Sequence, residues 1–137
     1  MKVYKSISLL LLFLFAFTGM LFLLIPDRVL ILFNTVSSPL GVPQLTVTNG
    51  SFYLILAVGY MYLVTVLAFL MFKHPENRYF PLLLIHAKLA SSVLSLALFL
   101  VQAHYLIYLA NFFVDGIIGI VILTLYLKTR RMEWVYS

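Results

Sequence analysis

Two neighbouring apolar runs carry side chains able to do chemistry. In FPLLLIHAKLASSVLSLALFLVQ these are Lys88, Ser91, Ser92, Ser95 and Gln102; in NFFVDGIIGIVILTLYLK they are Asn111 and Asp115. An ammonium and a carboxylate in such surroundings can neutralise each other, relay a proton or hold a charged ligand. At about 100° per helical residue, the five polar residues of the first run fall within one stripe about 100° wide. Tyr108, Asn111, Asp115, Gly119 and Tyr126 share a face of the second, and Asp115 is the only acidic residue in any apolar segment. Pairing of Lys88 with Asp115 is the leading structural expectation, because the one buried cation and the one buried anion fall on consecutive antiparallel helices joined by a short connection.

Helix geometry raises an objection to that pair. Lys88 lies about 8 residues, or roughly 12 Å, from the start of its run, and Asp115 about 12 residues, or ~18 Å, from the same end of the next. Side chains lean toward their own helix N-terminus, which widens the ~6 Å offset between antiparallel helices. Boundary errors of about 2–4 residues absorb the difference, or else water or Asn111 bridges it. Two other readings of Lys88 stand beside pairing: it snorkels to headgroups while Asp115 is protonated or hydrogen-bonded, or it faces a ligand.

His86 is the remaining candidate ligand. It points about 200° from Lys88 on a helical wheel. His74 lies in a connection, and His104 is about 18 residues, or 27 Å, along. One intrachain bis-histidine haem is therefore not expected, and an interfacial or helix-contact histidine is the plainer reading. No catalytic or metal-ligating set is read from the spacing: paired carboxylates, a Gly-rich phosphate loop and a nucleophile elbow are all missing. No cofactor is predicted. The GIIG of the second run reads as a packing notch.

Composition dictates the elements that must position these residues. The 137-residue chain is 64% hydrophobic and 9% charged, with a mean hydropathy of +1.12, against roughly 25% charged residues in a soluble domain. An all-α, integral membrane four-helix bundle follows, because ~30 Å of hydrocarbon needs ~20 helical residues per span and open strands leave their backbone unsatisfied in lipid. The expected spans are about 7–25, 52–72, 79–101 and 105–127, in one transmembrane domain over 1–137 with an outward Pro/Gly-containing loop at 26–51. In that loop Pro26 ends a helix, Pro39, Gly41, Pro43 and Gly50 break any continuation, and Asp27 to Asn34 is apolar enough to lie in the interface as a short helix or a re-entrant piece. The first segment has the basic start of a signal peptide, Lys2 and Lys5, yet its core is too long and lacks a small-x-small site, so it is read as a retained span. The chain contains no cysteine, which excludes disulfides and thiolate sites.

Charge placement sets orientation. Lys2, Lys5, Lys73, Arg78, Lys128, Arg130 and Arg131 fall on one side and only Arg28 on the other, so both termini are expected in the cytoplasm, N-in/C-in. Tyr4, Tyr53, Tyr79, Tyr105, Tyr126 and Trp134 lie near the expected interfaces. The formal charge of +5 is spent on these flanks, so membrane lipids are expected partners and nucleic acid is not.

Four short spans, the IPDRVLILFN after the first, and NFFVDGIIGIVILTLYL in the last resemble the DoxX-like small four-helix membrane proteins. That resemblance implies a compact left-handed bundle, with some members attached to redox or respiratory assemblies, and carries no site residue onto this sequence. The small multidrug transporters are similar in size but place an essential acidic residue in the first helix, where this chain has none. Three functional readings follow. The first is a non-catalytic accessory or assembly subunit of a larger membrane complex; the protein partners expected are other membrane subunits or, in a homo-oligomer, copies of the chain. A proton-linked transporter using Lys88 and Asp115 is the second, and a quinone-linked redox component using Asp115 and His86 the third.

Overall fold

The computed structural model describes residues 2–44, 51–101 and 104–136, with side chains over 2–44, 55–101 and 104–129. Gly50 and Gln102, and the side chains of Tyr53, Arg130, Arg131 and Trp134, lie outside the described residues. The fold is all-α: α1 (Lys2–Leu24), α2 (Pro26–Ser37), a 3-10 turn (Ser38–Leu40), α3 (Ser51–Lys73), α4 (Tyr79–Val101) and α5 (Leu106–Tyr136). Four of the helices are long and apolar enough to cross a membrane: α1, α3 over Ile55–Lys73, α4, and α5 over Leu106–Thr129.

Pro26 acts as a starter as well as a stop. α1 ends at Leu24, Ile25 leaves the helical region with φ −138° and ψ 50°, and Pro26 opens α2 in its first turn. Proline suits that position because its missing N–H is one that a helix start leaves unbonded anyway. Of the two readings of Asp27 to Asn34, a short helix or a re-entrant piece, the helix is found, running from Pro26 to Ser37, and the 26–51 segment is not a plain loop. The 3-10 turn closes at Gly41, whose φ of 64° is a conformation in which a Cβ would be strained. At the other end, the Asn77 side chain accepts from the Tyr79 N–H at 2.9 Å and starts α4. α5 runs well past the expected boundary, through the basic stretch after Leu127.

The helices pack chiefly as two pairs, α1 on α3 and α4 on α5, with a smaller α3–α4 contact joining them. One stripe of each long helix turns inward at helical spacing: Tyr4, Ser8, Leu11 and Phe15 on α1; Val64, Leu67, Ala68 and Met71 on α3; Leu84, Ile85 and Lys88 on α4; Asp115, Gly119 and Ile122 on α5. A small cavity of about 20 Å³, lined by Tyr4, Glu76, Arg78 and Thr129, marks where the chain start, the α3–α4 connection and the far part of α5 adjoin. Tyr4, expected near an interface, is buried there. At the opposite end α2 lies over the start of α5, bringing Phe33 and Ser37 together with Tyr105 and Leu106.

Candidate functional site

All four long apolar helices converge on Lys88. Its Nζ donates to Asp115 Oδ1 at 2.8 Å, with Lys88 1% and Asp115 2% exposed. The same nitrogen lies 4.5 Å from the centre of the Phe15 ring on α1 and 5.0 Å from that of Tyr60 on α3. A cation so placed over desolvated aromatic faces gains about 2 kcal/mol beyond its ion pair. Tyr60 is itself fixed, its hydroxyl donating to the Ala87 carbonyl oxygen at 3.1 Å. Burial of both ends excludes snorkelling, since the ammonium is held by the bundle instead of reaching toward either end.

The expected offset is present and is spanned by the lysine itself. Gly119 abuts Lys88 and Leu89, and Gly116 abuts Ser92, so Asp115 stands one helical turn, about 6 Å, beyond the level of Lys88. A four-carbon stem covers that distance. Gly119 makes room for it: a Cβ there would lie 3.6 Å from Lys88 Cβ and 2.9 Å from Leu89 Cδ2. Of the two ways to close the offset, the direct pair is found and the bridge through Asn111 is not. Asn111 instead donates to Ser91 Oγ at 3.1 Å and Ser95 Oγ at 2.6 Å, while Ser92 Oγ donates to the Phe112 carbonyl oxygen at 2.8 Å. The GIIG notch is thus the surface on which α4 approaches α5.

The sequence-derived set Lys88, Ser91, Ser92, Ser95, Asn111 and Asp115 is therefore brought together, as one ladder between two helices. His86 is not part of it. Its ring is exposed on another side of α4, with Nδ1 2.8 Å from the Leu82 carbonyl oxygen, an internal bond for the tautomer protonated at that nitrogen. Among the described residues no three His, Asp or Glu side chains cluster as a metal site would require. Sequence reasoning missed Phe15 and Tyr60. Phe15 had a faint signal, since Tyr4, Ser8, Leu11 and Phe15 form the one stripe of α1 that contains both a tyrosine and a serine.

One atom of the site has no protein partner: Asp115 Oδ2 is buried and accepts no hydrogen bond. The described cavities lie at the two ends of the bundle, and neither Lys88 nor Asp115 lines them. Comparison with family models, with curated proteins and with solved structures gives no match.

Proposed function

We propose that the chain is a multi-pass membrane protein, with both termini cytoplasmic, that serves as a non-catalytic accessory or assembly subunit of a larger membrane complex. The observation that carries this reading is how the polar side chains are used. Lys88, Ser91, Ser92, Ser95, Asn111 and Asp115 bond across the α4–α5 contact, as adhesive between helices. The outer faces present large apolar side chains such as Phe13, Phe17, Leu83, Val93 and Ile117, suited to lipid or to the helices of other subunits. DoxX-like proteins supply an architectural analogy for such a part, and the analogy remains a proposal.

Orientation draws on charge: exposed Lys2, Lys5, Lys73, Arg78 and Lys128 stand where the chain start, the α3–α4 connection and the far part of α5 adjoin, and exposed Arg28 stands at the α2 end. Because the chain has no cysteine, single cysteines at Glu76 and Thr35 report sidedness without background. An impermeant maleimide applied from outside is expected to label Thr35→Cys and spare Glu76→Cys, and the reverse pattern inverts the topology.

The function is tested by gentle extraction from native membranes, native-size separation and mass spectrometry of co-migrating chains. A heteromeric assembly with fixed stoichiometry is the expected result. A lone monomer or homo-oligomer overturns the subunit reading in favour of the proton-linked carrier, which draws support from the unpartnered Asp115 Oδ2. The carrier predicts pH-driven flux that Asp115→Asn abolishes.

A further inference from the structure

The surroundings of Lys88 Nζ are those of a ligand. Phe15 and Tyr60 present ring faces at 4.5 and 5.0 Å, and Asp115 presents a carboxylate at 2.8 Å. Aromatic faces plus an anion form the general recognition chemistry for an alkylammonium ion. We propose that Phe15, Tyr60 and Asp115 form a binding cage for a primary alkylammonium, occupied in this state by the chain's own Lys88. The proposal is independent of the subunit reading.

Two further observations carry it. The first is the spare acceptor, since Asp115 Oδ2 is buried and unbonded, so the cage offers more than the tethered lysine uses. An untethered ammonium with three N–H donors is free to seat itself between both carboxylate oxygens. The second is placement. Phe15 and Tyr60 come from the α1–α3 pair and Lys88 and Asp115 from the α4–α5 pair, so the cage straddles the seam between the two pairs. Lys88 is both the cage's occupant and its plug, and a free amine enters only where Lys88 withdraws.

The test removes the occupant and keeps the walls. Lys88→Ala deletes three carbons and the nitrogen, the outline of n-propylammonium. Thermal unfolding of the purified variant in detergent is followed with added n-propylammonium chloride, n-propanol, tetramethylammonium chloride or sodium chloride. The expected result is a saturable rise in midpoint with n-propylammonium, half-maximal at a concentration roughly tenfold below that for n-propanol. The rise is expected to be absent in wild type, where Lys88 fills the cage, and lost in Lys88→Ala/Asp115→Asn. Equal stabilisation by n-propanol would reduce the site to an apolar void and overturn the proposal. An equal response of wild type would place amine binding elsewhere and overturn it too, as would no response at all. Where Lys88→Ala does not accumulate, the variant is expressed with n-propylammonium in the medium: recovery of folded protein supports the cage, and continued failure overturns it.

Discussion

The two helix pairs are held by different chemistry. In α1 and α3 the hydroxyls of Ser8, Thr18 and Thr65 each donate to the carbonyl four residues back in their own helix, and the facing surface is Leu11, Phe15, Val64, Ala68 and their neighbours. In α4 and α5, Ser92 and Asn111 reach across to the other helix, and Lys88 does the same with a full charge. An apolar contact tolerates small slips because one methyl group substitutes for another. A ladder of donors and acceptors does not, since a slip of one residue leaves each polar group facing hydrocarbon. The α4–α5 pair is therefore the fixed half of the molecule, and the Lys88 ammonium is the point at which the other half is registered against it.

The strongest way to break this contrast is to strand one charge. Asp115→Ala is expected to lower unfolding stability by about 3–5 kcal/mol, Lys88→Ala comparably, and Lys88→Met/Asp115→Leu by much less than their sum. Denaturant titration in mixed micelles measures this, and additive losses would deny the coupling. A smaller effect separates the glycines. Gly116→Ala puts a Cβ 3.0 Å from Ser92 Oγ, which its bond to Phe112 holds in place, and is expected to cost about 1–3 kcal/mol. Gly59→Ala meets nothing within 4 Å and is expected to gain about 0.5–1 kcal/mol from helix propensity. The same titration sharpens the comparison if Gly19→Ala, which crowds Met61 Cβ at 3.0 Å, falls between them. Smallest of all, Ser92→Ala is expected to cost about 0.6 kcal/mol, the average for a cross-helix bond in a membrane protein, whereas Thr65→Val, which loses only an internal bond, is expected to cost less. Equal losses at Ser92 and Thr65 would erase the distinction between the pairs.

What the sequence made legible follows the same division. Lys88, Asp115, Asn111 and the serines stand out because polar residues in apolar helices are few, and their 3.6-residue spacing says which share a face. The set of residues was readable for that reason, whereas the partners that Asn111 and Ser92 take across α4 and α5 were not. Nor were Phe15 and Tyr60, since both lie among other aromatic residues in helices that are apolar on nearly every side, where only the stripe Phe15 shares with Tyr4 and Ser8 gives a faint sign of an inward ring. The direct contact of Lys88 with Asp115 was obscured by the ~6 Å offset. Its resolution depends on Gly119, whose meaning appears only when the helices are together. Pro26 was read as an end because a proline that stops one helix gives little sign that a second starts on it, although the apolar Val29–Phe33 run after it suggested a short interfacial piece.

The ion pair also has a consequence in time. Lys88 and Asp115 are 27 residues apart, on successive helices. For a chain threaded into a bilayer as it is synthesised, α4 arrives with an unmatched ammonium, and a lysine at a helix centre adds about 2.5–3.5 kcal/mol to the cost of insertion. Its counter-charge leaves the ribosome only after 27 more residues. On the proposed membrane reading, the hairpin of α4 and α5 is the natural unit of insertion, and a chain cut short before Asp115 would present quality-control machinery with a lone charge in lipid.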